Sequence, residues 1–301
     1  MTSMFDIYHP YAALLNDGKQ AEAIDGTILL LQIIRGANRT LYDSSAKGTP
    51  FYVLGAAAAA CHDYQSAAFY FDAAVSEDLT HHPTRNDTPA LLFMRLVHTN
   101  PNQRAHALVN AAVNKLQTAI DSYNARDNHR PLTLDELRAR FLDKTIRDSN
   151  SHRRTMVTAL ISFILEWDYR AQLIELATIA SHEIFFMHLF KGCLLFESLL
   201  KESSASKARG GSLEAALTSL KVELGLSKEN LRLGNTTLEA LASSLVPNQS
   251  IRDVVVTTGQ VRNMLGHNLV WPAASLDLKS YNLIADSIAS ACIHAISTLY
   301  I

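Results

Sequence analysis

Residues 260 to 268 read Gln-Val-Arg-Asn-Met-Leu-Gly-His-Asn, so a guanidinium at Arg262, an amide at Asn263 and an imidazole at His267 fall within six residues. An arginine can fork onto a phosphate and neutralise it, and a histidine titrating near neutrality can move a proton. Those roles together suit phosphodiester chemistry. Positions five apart lie roughly 140° apart around an ideal helix, so Arg262 and His267 would not share a face if the helix continued. Gly266 and the pair Trp271-Pro272 predict a helix end near His267, which lets the ring turn back towards Arg262. The same spacing occurs once more, from Arg147 to His152, but the intervening Asp-Ser-Asn-Ser reads as a turn with no apolar position to seat in a core. A bland reading stands beside the chemical one: cations near a helix C-terminus are favoured by the dipole and can cap free carbonyls.

The elements that must hold these groups are helices. Apolar residues recur at spacings of three and four in almost every segment, which predicts an all-α chain. An amphipathic stretch from about Ile251 to Leu265 leads into the motif. A second from about Asp277 to Tyr300 follows it, after a loop containing Pro272. Val254-Val255-Val256 is the most strand-like run, yet it leads straight into the motif and is read as helical. Residues 48 to 81 resemble one tetratricopeptide-like hairpin, with Phe51, Leu54, Gly55, Ala67, Phe71 and Ala74 at the repeat's spacings and His62-Asp63-Tyr64 as the turn. No convincing second copy lies 34 residues away, so a full solenoid is not expected. The pattern breaks over Thr80 to Thr88 and resumes near Ala90 and over Pro101 to Tyr123. After a linker from Asn124 to Pro131, Thr133 with Glu136 three residues on reads as a capped helix start. Ser203 to Gly211 reads as a flexible loop. The main boundary is placed near Ser149 to His152, giving a helical-hairpin module over 1–150 and a helical bundle over 151–301.

A chain of 301 residues with 48% apolar content can bury a sizeable core, and its formal charge of −2 supplies no global pull on nucleic acid. Any RNA site must come from local basic patches. Cys61, Cys193 and Cys292 lie far apart among apolar residues and read as reduced core residues; no metal site or cofactor is expected. The N-terminus lacks a basic region followed by an apolar run, and no uncharged apolar stretch reaches bilayer length. The expectation is a cytoplasmic protein without a membrane partner.

Arg140, Lys144 and Arg147 fall at i, i+4 and i+7 and continue into Arg153 and Arg154, the best local candidate for a phosphate-contacting stripe. Asp143 and Asp148 interleave with it, so a solvated helix face is the competing reading. His182, Glu183 and His188 lack the spacing of a zinc helix. Tyr64, Phe69, Tyr70 and Phe71 could stack bases, but most are read as filling the hairpin seam. No phosphate-binding glycine loop or serine-hydrolase elbow is present. Glu197 and Lys201 form an i, i+4 pair, and Glu197 is a candidate for orienting Arg262.

The Arg-polar-x-x-x-His pattern, late in an all-helical segment and followed by one closing helix, resembles the signature of HEPN domains. The resemblance covers about residues 153 to 301, roughly half of the chain, and includes Glu197 within Leu194-Leu195-Phe196-Glu197-Ser198-Leu199-Leu200-Lys201. It implies a metal-independent endoribonuclease for single-stranded RNA, of the kind used as toxins or defence effectors, with two motifs paired across a homodimer. Arg262, Asn263 and His267 would be catalytic, supported by Glu197 and Asn268. Residues 1–150 would receive a regulatory protein or an activating ligand. The alternative is a non-catalytic helical adaptor. A buried Arg262 paired to a carboxylate would favour the adaptor, whereas Arg262 and His267 converging on a groove at a two-fold axis would favour the nuclease.

Overall fold

The computed structural model describes residues 4–97, 105–127, 130–148, 150–176, 182–206, 211–226, 233–234, 236–266 and 276–301. Among them there is no strand, and the chain is all-α. It divides into two compact units, Met1–Ala112 and Val113–Ile301.

The first unit holds α1 (Met4–Asn16), α2 (Gln20–Ala37), α3 (Arg39–Ser44), α4 (Gly48–Ala60), α5 (Tyr64–His81) and α6 (Pro89–Met94), and ends within α7 (His106–Asn124). The expected hairpin is α4 and α5, packed together along their lengths. A methyl group at Gly55 would sit 2.9 Å from the Phe71 ring, so the crossing requires a residue without a side chain. Phe71 is fully buried and stacks on Phe93 at 3.9 Å between ring centroids. His62 turns the chain with φ 60, and the Asp63 carboxylate accepts from the Ser66 N–H to start α5. Thr88 caps α6 in the same way, with Pro89 in its first turn. One expectation needs correction: Cys61, read as a core residue, is exposed at the C-cap of α4, just past the end of the helix. Phe69 is 64% exposed, whereas Phe71 fills the seam.

The second unit opens with the rest of α7, then α8 (Leu134–Leu137), a π-helical turn (Arg138–Leu142) and α9 (Asp143–Ile146). After a 3₁₀ turn come α10 (Arg154–Leu176), α11 (Glu183–Glu202), α12 (Leu213–Ser219), α13 (Leu238–Ser244), α14 (Ile251–Leu265) and α15 (Leu278–Leu299). The Thr133 cap forms as its sequence suggests: its hydroxyl accepts from the Glu136 N–H and the Glu136 carboxylate accepts from the Thr133 N–H. Helices α10, α11, α14 and α15 pack on one another around the core. A methyl group at Gly192 would lie 2.5 Å from Phe163 and 2.7 Å from Ile288, so α11 meets α10 and α15 at this glycine. By length and composition α15 could cross a bilayer, but 83% of its apolar window is buried inside the unit, as in the core helix of a bundle.

Residues 113 to 150, grouped by sequence with the N-terminal module, pack within the second unit. The Tyr123 hydroxyl hydrogen-bonds to Ser297 at 2.9 Å, Arg126 pairs with Asp286, and Phe141 meets the Tyr300 ring edge-on at 5.2 Å. The compact division therefore falls inside α7 rather than in the polar segment near Ser149.

Candidate functional site

Helix α14 begins at Ser250, whose hydroxyl accepts from the Asp253 N–H, and buries Val254, Val255, Thr258, Val261 and Leu265 along one face. That register leaves Arg262 and Asn263 half-buried in the last turn. Gly266 ends the helix, its N–H donating to the Arg262 carbonyl at 3.0 Å. The helix end falls where Gly266 and Trp271-Pro272 place it. His267 and Asn268 lie outside the described residues, as does the loop with Pro272.

Arg262 meets Glu197 of α11. Its Nε–H donates to Glu197 Oε2 at 2.7 Å, while Oε1 accepts from Lys201 Nζ at 2.6 Å. One carboxylate thus holds two cations, one from its own helix and one from α14. Burial pushes the Glu197 carboxyl up, but the hydrogen bonds and charges of Lys201 and Arg262 outweigh it and hold the carboxyl below its ordinary value. The Glu197 side chain is 9% exposed and that of Arg262 28%. A guanidinium has five N–H donors in a fixed fork, and Glu197 takes one of them through Nε. Gly266 sits against this fork: a methyl group there would lie 3.8 Å from Arg262 Nη1 and 3.5 Å from the Phe190 ring. The carboxylate pairing is half of the adaptor criterion; the partial exposure of Arg262 departs from the other half.

The basic stripe does not survive as a free surface. Arg140 lies in the π turn, which breaks the i, i+4, i+7 register, and pairs with Glu136 at 2.6 Å. Lys144 is exposed and donates to the Ile301 carbonyl at 3.3 Å, and Arg147 is exposed. Arg153 is held by Asp148 at 2.8 Å and Glu202 at 3.3 Å. Arg154 is buried at 8% exposure, which removes it from any phosphate-contacting surface.

His188 is a core residue. Its ring stacks on Phe163 at 4.5 Å, with one nitrogen 2.9 Å from the Phe163 carbonyl and the other 2.8 Å from the Tyr281 hydroxyl. Burial lowers its pKa to about 4, so it is neutral near pH 7. Cys193 and Cys292 are buried free thiols whose pKa values burial raises, so neither supplies a thiolate.

Two features escaped the sequence reading. Ile184, Met187 and Leu194 are each more than 40% exposed and lie along one side of α11, the helix that carries Glu197. Hydrophobic type alone gives no sign of exposure, which only the helix's rotation reveals. The second is Glu166, at 8% exposure and paired with Lys191 at 2.9 Å and Arg170 at 3.7 Å. A carboxylate inside the run Phe163-Ile164-Leu165-Glu166-Trp167 was its available signal. Comparison with protein-family models, curated proteins and solved structures returned no match.

Proposed function

We propose that the chain is a metal-independent endoribonuclease acting on single-stranded RNA, with a HEPN-like Arg/His site used as a homodimer. The observation that carries this reading is the partial exposure of Arg262. Glu197 fixes the guanidinium through Nε and leaves the rest of the fork at a half-open helix end, in a posture suited to an anionic oxygen. In the reaction, the ribose 2′-oxygen attacks the adjacent phosphorus and the bond to the 5′-oxygen breaks, leaving a 2′,3′-cyclic phosphate and a 5′-hydroxyl. His267 takes the proton of the 2′-hydroxyl or delivers one to the leaving oxygen. Arg262 neutralises charge on the pentacoordinate transition state, a role worth about 10²–10³ in rate for one well-placed donor. Asn263 steadies the phosphate or the imidazole.

The apolar stripe Ile184, Met187 and Leu194 supports the homodimer, because it lies on the helix that also holds Glu197 and a second copy docking there would bring its motif nearby. The first unit is proposed as the regulatory module. A labelled single-stranded RNA, incubated with excess EDTA, tests the reading: cleavage should require Arg262 and His267 and yield cyclic phosphate ends.

The second reading is a helical adaptor, favoured by the Arg262–Glu197 ion pair itself and by the exposed Leu29, Ile33 and Phe69 of the first unit. It predicts no cleavage by wild type or by either variant.

A further inference from the structure

Arg262 shares its carboxylate with a second cation, to which the cleavage step gives no task. Lys201 stands in the last turn of α11, four residues after Glu197. Its Nζ donates to Glu197 Oε1 at 2.6 Å, while Arg262 Nε–H donates to Oε2 at 2.7 Å. The carboxylate is the most enclosed of the three groups: its side chain is 9% exposed, against 22% for Lys201 and 28% for Arg262. Both cations therefore stand on its solvent side. The charges that act on the Glu197 carboxyl are those of Lys201 and Arg262, and together they keep it ionised. Arg262 and Glu197 alone sum to zero and exert little net pull on an anion. With Lys201 the trio carries a net +1.

An ammonium has three N–H donors and a guanidinium five, so each cation keeps donors after its bond to Glu197. The planar fork of Arg262 matches a pair of phosphate oxygens, whereas Lys201 acts on a phosphate as a point charge. Such a charge fixes the position of a strand without reading its bases. Glu197 stands between the two cations and keeps them one carboxylate apart, so each faces its own phosphate. We propose that Lys201 is a phosphate-binding residue of this site, holding the backbone phosphate next to the one that Arg262 takes, with Glu197 as the strut between them. The inference rests on the RNA site proposed above and names Lys201 as the source of its net positive charge. Lys201 contributes binding, whereas Arg262 also serves the transition state.

Binding measured apart from cleavage tests it. A short single-stranded 2′-O-methyl oligouridylate carries the phosphates but lacks the attacking 2′-hydroxyl, so its affinity for the full chain reads binding alone. For single strands, log K falls with log salt less steeply by about 0.7 for each phosphate contact removed. Lys201→Gln should make the slope shallower by about that amount and weaken binding about tenfold at low salt. Lys201→Arg should keep both near wild type, and Lys201→Met supplies the same comparison if the Gln variant does not fold. A Lys201 that only braces α11 gives an unchanged slope with a lower thermal melt, and that result would overturn the proposal. Wild type that fails to bind the oligonucleotide at low salt would overturn it together with the RNA site. Cleavage of the unmodified strand is scored separately: a slope made shallower in a protein that cuts nothing upholds Lys201 as a phosphate contact and refutes the nuclease.

Discussion

Glu197 is the residue on which the candidate site turns, because its two oxygens are divided between Lys201 and Arg262. Glu197→Gln keeps the shape but removes the negative charge and leaves one accepting oxygen for two cationic donors, so one of the two hydrogen bonds is lost and the other weakened. If Arg262 acts on phosphate, this change should lower kcat by roughly ten- to a hundredfold with KM little altered, a loss of about 1.4–2.7 kcal/mol in transition-state stabilisation. Steady-state cleavage kinetics beside a circular dichroism melt would separate that outcome from simple unfolding. His188 gives a second prediction at this scale. Its pKa falls from an ordinary 6.5 to about 4 in the folded chain, so between those values the unfolded chain binds a proton that the folded chain refuses. The contribution is full above pH 6.5 and lost as pH falls towards 4, amounting to about 3 kcal/mol. Glu166 on α10 favours the charged ring, whereas Lys191 and Arg170 oppose it. Thermal melts at pH 7 and pH 4.5 should show a smaller drop for His188→Gln than for wild type. An equal drop would place the pH dependence elsewhere.

Helices are where the sequence spoke most clearly. The limits of α14 coincide with the amphipathic stretch from Ile251 to Leu265, and α15 lies between Asp277 and Tyr300 as its periodicity requires. Thr133 with Glu136, and His62-Asp63-Tyr64 between α4 and α5, were legible because caps and turns are local chemistry. Thr133→Ala should therefore destabilise the second unit by about 1 kcal/mol, read as a shift of its denaturation midpoint. What stayed hidden depends on tertiary packing. The π turn at Arg138–Leu142 carries no local signature and disperses the basic stripe, and Arg154 looks like a surface cation until α10 turns it inward. The division within α7 was equally illegible: Ser297, which bonds Tyr123, and Asp286, which bonds Arg126, stand more than 150 residues away on α15. Gly192 shows the same limit, since its need for a bare backbone comes from Phe163 and Ile288 on two other helices. Gly192→Ala should cost about 1–3 kcal/mol through overpacking, measured by chemical denaturation.

Under the proposed nuclease reading, an all-helical protein with near-neutral charge would have to recognise RNA through a small site rather than through its overall field. The homodimer reading gives the exposed stripe on α11 a purpose and makes it testable. Leu194→Glu places a charge at an exposed apolar position and should leave the monomer folded. Sedimentation should then show a dimer for wild type and a monomer for the variant, with cleavage lost alongside; a monomeric active wild type would refute the composite site. The central claim is that Arg262 and His267 perform metal-free RNA cleavage. Its most direct test is a labelled single-stranded RNA in excess EDTA, incubated with wild type, Arg262→Ala and His267→Ala. The account predicts cleavage with cyclic phosphate ends by wild type and none by either variant. Equal cleavage by all three proteins, or by none, would contradict it.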